Sequence, residues 1–108
     1  GRYVQGAALA PGFYADPDDE RIAPFVTAFR EAYGEEPGLF EAFGYEAVRA
    51  VRAAVAAGGR TRPDLRAQLA RGPGLLGLTG QVAFGPDGER ADPPLIYVVD
   101  GDRIRTLR

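Results

Sequence analysis

The chain has 108 residues, of which 45% are hydrophobic and 26% are charged, and its formal net charge is −2. These values are typical of one small globular domain with a thin core. The absence of Cys and His excludes thiolate and imidazole metal sites, and it also excludes Cys or His catalysis. Acidic and basic residues alternate without a basic cluster, so the charge pattern argues against a nucleic-acid partner.

The chain opens with a short strand, predicted over residues 3–9, that runs into a loop. A first helix is predicted over residues 23–33, because apolar side chains recur there at helical spacing. Pro24 fits only the first turn of this helix, and Gly34 is the expected left-handed stop. The apolar positions are Ile22, Phe25, Val26, Phe29 and Tyr33.

A longer second helix is predicted over residues 39–57. Its pattern places Glu46, Arg49 and Arg52 nearer the polar side, and its many small residues permit close packing. The predicted apolar stripe consists of Phe40, Phe43, Ala47, Val51 and Ala54, with Val48 and Val55 beside it.

A third helix is predicted to open at Thr61, a good N-cap, with Pro63 in its first turn and Asp64 at the positive helix end. Residues 72–74, Gly-Pro-Gly, are expected to end it. The rest of the chain is strand-like. Strands are predicted at residues 81–84 and 95–99, and the Asp100-Gly101 pair predicts a hairpin that returns through residues 103–107.

Two amphipathic helices of this size need a sheet or more helices to cover them, and the chain offers only a few short strands. The sequence also contains no Met, and it begins directly on the residues of a predicted strand. We therefore expect the helices to pack on a sheet made by residues outside the chain, which would be one piece of a longer protein. Such a piece is expected to self-associate when isolated.

Several segments, taken in order, resemble the type I periplasmic binding proteins, and in particular the leucine/isoleucine/valine-binding receptors of ABC transporters. Each segment is unspecific alone, whereas the ordered series at family-like spacing is much more specific and covers nearly the whole chain. The segments are residues 25–34, 36–37, 43–48, 62–69, 78–89 and 97–101.

The resemblance implies an α/β fold, in which residues 1–108 form a single partial domain, the C-terminal segment of a two-lobed protein. Three helices would pack on a sheet, and a β-hairpin would close the chain. The implied function is capture of a small polar solute such as an amino acid by ligand-induced lobe closure, without catalysis and without a cofactor. An ABC-transporter permease would be the partner, and the location would be periplasmic or extracellular, with room for a lipid anchor upstream.

One stretch is expected to reach the ligand cleft. In the amino-acid receptors a side chain just before a helical Tyr contacts the ligand, and Tyr45 matches that Tyr. The resemblance therefore assigns ligand contact to Glu41, Ala42 and Phe43, and it places Tyr14 at the cleft rim. Ala42 departs from the family pattern, which often has a large side chain there, and this departure argues against a branched-chain amino acid as the ligand.

Each candidate residue also has a purely structural explanation. Helical spacing favours burial of Phe40 and Phe43 in the core, and Glu41 suits the positive start of a helix. Tyr14 could instead pack on its own loop. The acidic residues Asp16, Asp18, Asp19 and Glu20 lack the spacing of a calcium-binding loop, so we interpret them as turn and cap residues.

Two other functions remain open. A penicillin-binding-protein activator or a sensor domain of the same fold would bind or regulate a protein partner, and an exposed patch without a closed cavity would favour it. An enzyme would need a nucleophile–base pair or a metal cluster, and Ser, Cys and His are all absent. The glycines at residues 72–77 lack the Lys-Ser/Thr pair of a phosphate-binding loop.

Overall fold

The computed structural model describes residues 2–71 and 74–107, and these residues form three α-helices and five short strands. The chain divides into two compact units: residues 1–42 with 94–108 form unit 1, and residues 43–93 form unit 2. In chain order the elements are a 3₁₀ turn at Arg2–Val4, β1 at Ala8–Leu9, α1 at Ala23–Tyr33, α2 at Leu39–Ala56, α3 at Arg62–Arg71, β2 at Leu75–Gly77, β3 at Gly80–Val82, β4 at Tyr97–Asp100 and β5 at Arg103–Thr106.

The sheet of unit 1 has the strand order β1–β4–β5 and is antiparallel throughout. Asp100 pairs with Arg103 across a two-residue loop in which Gly101 has a φ of 68°, so the predicted hairpin is confirmed. The side chain of Gln5 donates to the Gly101 carbonyl and accepts from the Gly101 N–H, each at 2.7 Å. These two bonds hold the segment before β1 against the hairpin turn.

Helix α1 of unit 1 begins and ends where its sequence predicts. Gly34 follows it with a φ of 69°, and its N–H donates to the Arg30 carbonyl at 2.8 Å, which closes the last turn. Ile22 and Val26 are only 2% and 3% exposed, so the predicted apolar face does supply the core. The core of unit 1 consists of Phe13, Ile22, Val26, Ala42 and Tyr97.

In unit 2, helix α2 buries Glu46, Ala50 and Ala54, which are four residues apart and therefore share one face. Leu78 and Val82 of the antiparallel β2–β3 hairpin are buried as well. An apolar hollow of about 260 Å³ remains beside these alanines, lined also by side chains of α3.

Helix α3 has the predicted cap. The Asp64 N–H donates to the Thr61 hydroxyl, and the Thr61 N–H donates to the Asp64 carboxylate, each at 3.2 Å. Hydrogen bonding from the Thr61 side chain, and then from the backbone of Arg60 and Thr61, lowers the pKa of Asp64. The helix ends at Arg71, and the predicted stop at residues 72–73 lies outside the described residues.

One predicted strand is shorter than expected, and one strand was not predicted. The predicted strand at residues 3–9 shrinks to Ala8–Leu9, because the segment before it forms a 3₁₀ turn and Gly6 has a φ of 76°. Strand β2 was not expected, since Leu75–Gly77 carries no β-branched residue and lies among glycines. Its pairing with β3 stabilises this strand, although its own residues have a low β-propensity.

One part of the predicted pattern of α2 is wrong, because Glu46, expected on the polar side, is only 2% exposed. Phe40 and Phe43, predicted on the apolar stripe, are 82% and 41% exposed, so this chain does not itself cover them. The helix faces the β2–β3 hairpin with its row of small side chains instead of its large ones, because small side chains allow close approach. The large apolar residues therefore occupy a separate, exposed sector of the helix, formed by Phe40, Val48, Val51 and Val55.

Candidate ligand-binding site

Glu41 lies in the first turn of α2, where its carboxylate accepts the Gly38 N–H at 2.8 Å. Gly38 directly precedes the helix, so this bond satisfies an N–H group at the helix start. The side chain is exposed. The structure therefore shows the capping role for Glu41, while its assignment to ligand contact stays a prediction.

Ala42 and Phe43 follow Glu41 on α2 but differ in exposure. Ala42 is 0% exposed, whereas Phe43 is 41% exposed. The Phe43 ring lies under the guanidinium of Arg90, whose central carbon is 5.8 Å from the ring centroid. Of this pair, Phe43 is the residue whose side chain a ligand could reach in the described structure.

Tyr14 lies on the loop after β1, in unit 1. Its ring meets that of Tyr97 edge-on, with centroids 5.9 Å apart and an interplanar angle of 69°. It is half-buried and lines an open hollow of about 490 Å³ in unit 1. The other lining residues are Asp16, Pro17, Asp18, Asp100, Asp102, Arg103, Ile104 and Arg105.

The acidic loop before α1 makes local turns, as interpreted from its sequence. Asp16 accepts the Asp18 N–H at 2.9 Å, and Asp19 accepts the Arg21 N–H at 2.8 Å. Asp19 also forms an ion pair with the Arg21 side chain at 2.8 Å. Within residues 2–71 and 74–107, no group of three or more acidic side chains has the arrangement needed to hold a metal ion.

Four polar residues that the sequence pattern did not single out meet in unit 2; we call Glu46, Thr79, Arg90 and Asp92 the Glu46 network. The buried Glu46 carboxylate accepts the Thr79 N–H at 2.7 Å and the Thr79 hydroxyl at 2.8 Å. A carboxylate taken out of water without partners would destabilise the fold by several kcal/mol. These bonds are therefore what allows Glu46 to occupy the core.

Arg90 completes the Glu46 network. It donates to the Asp92 carboxylate through Nε at 2.8 Å and through Nη2 at 2.6 Å, and to the Thr79 hydroxyl at 2.9 Å. Its Nη1 atom lies 3.6 Å from the Glu46 carboxylate. The Thr79 hydroxyl thus accepts from Arg90 while it donates to Glu46. The hydrogen bond to Asp92, more than the nearby charges, raises the pKa of Arg90 although its partial burial opposes this.

Gly77 leaves room for the Glu46 network. A Cβ atom at this position would collide with the Glu46 carboxylate, so no larger residue fits without a shift. In the sequence, the one sign of this site is that Glu46 falls in register with Ala42, Ala50 and Ala54. A charged residue within a row of small ones indicates a buried partner elsewhere in the chain.

Comparison with known proteins assigns the family. The periplasmic binding protein family profile matches residues 1–103. A protein from Rhodospirillum rubrum assigned to branched-chain amino acid ABC transport is 35% identical, with a TM-score of 0.84 over 99% of this chain and 32% of its own. An ABC transporter substrate-binding protein from Desulfitobacterium hafniense, solved with Leu, is 27% identical, with a TM-score of 0.71 over 98% and 32%. No curated protein matches this chain.

The same fold occurs with another ligand. An ABC-transporter solute-binding protein from R. palustris, solved with benzoate, has a TM-score of 0.67 at 21% identity and covers 99% of this chain and 30% of its own. This similarity concerns the fold alone. The chain spans about a third of the length of the solved structures that it matches.

The chain belongs to the periplasmic binding protein family and has the α/β fold of its type I members. This finding confirms the resemblance on which the site prediction depends, and the structure confirms the three helices and the closing hairpin. Among the described residues, no helix combines the length and the apolar character that a membrane span requires.

Proposed function

We propose that the chain is the C-terminal part of an extracytoplasmic solute-binding protein of an ABC transporter. This protein captures amino acids or related small polar solutes by closure of two lobes, makes and breaks no bond, and delivers its ligand to a membrane permease. The observation that carries the proposal is the similarity, over almost the entire chain, to the R. rubrum protein. A periplasmic or extracellular location, with or without a lipid anchor, is part of the same proposal.

The division of the chain supports a two-lobed parent protein. The chain leaves unit 1 after Ala42 and returns to it after Pro93. A segment that contributes to both lobes must pass between them in this way. We therefore propose that unit 1 and unit 2 belong to different lobes of the longer protein, whose remaining residues supply most of the ligand contacts.

The exposed apolar sector of α2 supports the same view. Val48 is 70% exposed, and Val51 and Val55 are 44% and 43% exposed, although the opposite face of the helix is buried. A helix that is apolar on two faces normally packs against an element on each. We propose that a sheet formed by residues outside this chain covers this sector.

The predicted contact residues suit an amino acid. A carboxylate at Glu41 can attract an ammonium group, and an aromatic ring such as that of Phe43 or that of Tyr14 can pack on an apolar or cationic group. The D. hafniense relative was solved with Leu. Ala42 offers no large side chain, and for this reason the proposal names amino acids as a class and does not single out the branched-chain ones.

A ligand screen tests the proposal. Thermal unfolding of the full-length protein is measured with each amino acid, and with benzoate as a carboxylate that has no ammonium group. A ligand present at 100 times its Kd stabilises the folded state by about 2.7 kcal/mol, which raises the Tm by several degrees. If no amino acid raises the Tm while a purified penicillin-binding protein does bind, the regulatory role within the same fold replaces the transport role.

The oligomeric state of the isolated chain tests whether the exposed apolar sector of α2 is normally covered. Light scattering coupled to size-exclusion chromatography is expected to give a mass above the 11.5 kDa of the monomer. Val48→Glu and Val51→Glu should restore the monomer, because a charge on the apolar sector opposes association. Arg52→Glu, on the polar side of the same helix, is the matched control and should leave association unchanged. A stable monomer at high concentration would contradict this part of the proposal.

A further inference from the structure

We propose that Arg90 is a positioning residue for ligand recognition, which fixes the ring of Phe43 at the start of unit 2 while Asp92 and Thr79 hold its guanidinium in place. The inference rests on the proposed function, since it takes Phe43 as a ligand contact. It adds a role for a residue that has no predicted contact with the ligand.

The guanidinium of Arg90 is held in one orientation. Its bonds to Asp92 are bidentate, and a planar guanidinium paired in this way has little freedom to rotate. The remaining nitrogen donates to Thr79, which is itself bonded to the buried Glu46. Because the side chain of Asp92 is 7% exposed and that of Glu46 is 3% exposed, solvent does not compete strongly for these bonds.

Phe43 needs such a neighbour. Its side chain is 41% exposed, and an exposed aromatic ring on a helix surface exchanges between rotamers unless something packs on it. The guanidinium lies 5.8 Å from the ring centroid, within the range of a cation–π contact. A rigid cation on one side of the ring therefore favours a single rotamer and leaves the rest of the ring open to a ligand.

Arg90 contacts residues near both ends of the segment that forms unit 2. Phe43 is the first residue of unit 2, and Asp92 is the last but one. Arg90 thus joins the two ends of the segment that forms this unit. The guanidinium therefore contacts both the segment around Asp92 and the Phe43 ring.

The test compares Arg90→Met and Arg90→Lys in the full-length protein. Calorimetric titration with the tightest amino acid from the screen gives Kd, thermal unfolding gives Tm, and NMR of ring-labelled phenylalanine reports the Phe43 ring. We expect Arg90→Met to raise Kd roughly two- to fivefold, the size of one cation–π contact, and to move the Phe43 resonance toward its averaged position. Arg90→Lys keeps the charge but loses the bidentate pair, so its effects should be intermediate.

The chain provides a matched control. Arg49 lies over the ring of Tyr45 on the same helix, with its central guanidinium carbon 5.6 Å from the ring centroid, and it has no part in the Glu46 network. Arg49→Met should leave both Kd and the Phe43 resonance unchanged. In a Phe43→Ala background, Arg90→Met should no longer change Kd, because its effect acts through the ring.

Three results would overturn the inference. One is an unchanged Phe43 resonance in Arg90→Met, and another is a Kd change that persists in the Phe43→Ala background. The third is a lower Tm with an unchanged Kd, which would assign Arg90 a structural role only. If the wild-type protein binds no amino acid, the proposed function fails, and the ring resonance alone then decides whether Arg90 positions Phe43.

Discussion

Unit 1 and unit 2 are stabilised by different kinds of core. In unit 1, rings and branched side chains supply the buried volume, whereas in unit 2 the central helix contributes alanines around a buried carboxylate. Dispersion and hydrophobic contacts are spread over many atoms, so the loss of one side chain removes only a fraction of them. A buried charge concentrates stability in one group, since its loss leaves several partners unsatisfied.

The aromatic contacts of unit 1 form a continuous series. The ring centroids of Phe13 and Phe25 are 6.2 Å apart at 81°, those of Phe25 and Phe29 are 6.0 Å apart, and those of Phe29 and Tyr33 are 4.6 Å apart. Phe13 is 7% exposed, Phe25 and Phe29 are half-buried, and Tyr33 is 69% exposed. The contribution of each ring to stability should decrease in the same order.

The largest change in the free energy of unfolding is expected when the Glu46 network is broken. Glu46→Ala should lower the free energy of unfolding by about 3 kcal/mol or more, because it leaves the Thr79 N–H unpaired and removes a partner of Arg90. Urea denaturation of the full-length protein measures this change. Glu46→Gln keeps the shape and one acceptor, so its loss should be clearly smaller. Equal losses for the two variants would show that the carboxylate charge has no special role.

A second prediction concerns the aromatic core of unit 1. Phe13→Leu keeps most of the buried volume and should lower the free energy of unfolding by about 1.5 kcal/mol or less. Tyr33→Leu, at the exposed end of the series, is the control and should change it by no more than about 0.5 kcal/mol. If Phe13→Leu destabilised as strongly as Glu46→Ala, the contrast between the two cores would not hold.

The features that the sequence predicted correctly differ in kind from those that it did not predict. The bounds of α1, the cap at Thr61 and the turn at Gly101 depend on interactions within a few residues, and all three were predicted correctly. The rotation of α2 depends on what packs against it. The sequence predicted the apolar stripe of this helix but not the second buried face, on which Glu46 and the alanine row meet the hairpin.

The Glu46 network could not be predicted for a related reason. Thr79 is 33 residues from Glu46 along the chain, and Arg90 is 11 residues further on. The register of Glu46 with the alanines suggests burial but does not identify its partners, and a Glu beside Arg49 and Arg52 looks like part of a solvated face. The predicted contacts Glu41, Ala42, Phe43 and Tyr14 came from the resemblance to the family, and they stay predictions until a ligand is bound.

A smaller effect is expected at α3, which has no buried residue among those described and depends more on its ends. Thr61→Ala should lower the free energy of unfolding by about 1 kcal/mol, and it should speed hydrogen exchange of the first amides of the helix. Thr27→Ala, exposed within α1, is the control, and an equal loss there would contradict the capping role.

The same cap makes stability depend on pH. The pKa of Asp64 is lowered in the folded state, so the contribution of Asp64 to stability is present above its unfolded pKa and is lost as the pH falls through its folded pKa.

The smallest change in stability is expected from the hydroxyl of Tyr97 in the core of unit 1, and it depends on high pH. Tyr97 is 1% exposed, and its buried hydroxyl has no hydrogen-bond partner among the described residues. Burial raises its pKa above the ordinary value of 10.0, although the Tyr14 backbone, close by but outside hydrogen-bond geometry, partly opposes the shift. Because the folded state holds this proton more tightly, its contribution to stability is complete below pH 10.0 and is lost as the pH rises toward the folded pKa.

Tyr97→Phe tests this assignment, since it removes the proton and keeps the ring. At neutral pH the free energy of unfolding should change by no more than about 0.5 kcal/mol, because no hydrogen bond is lost. Above pH 10.0 the wild-type protein should lose more stability than Tyr97→Phe, as measured by urea denaturation across the alkaline range. Tyr33→Phe, exposed on the same unit, should follow the wild type. Parallel alkaline losses in the wild type and Tyr97→Phe would show that this hydroxyl ionises in the folded protein as easily as in the unfolded chain.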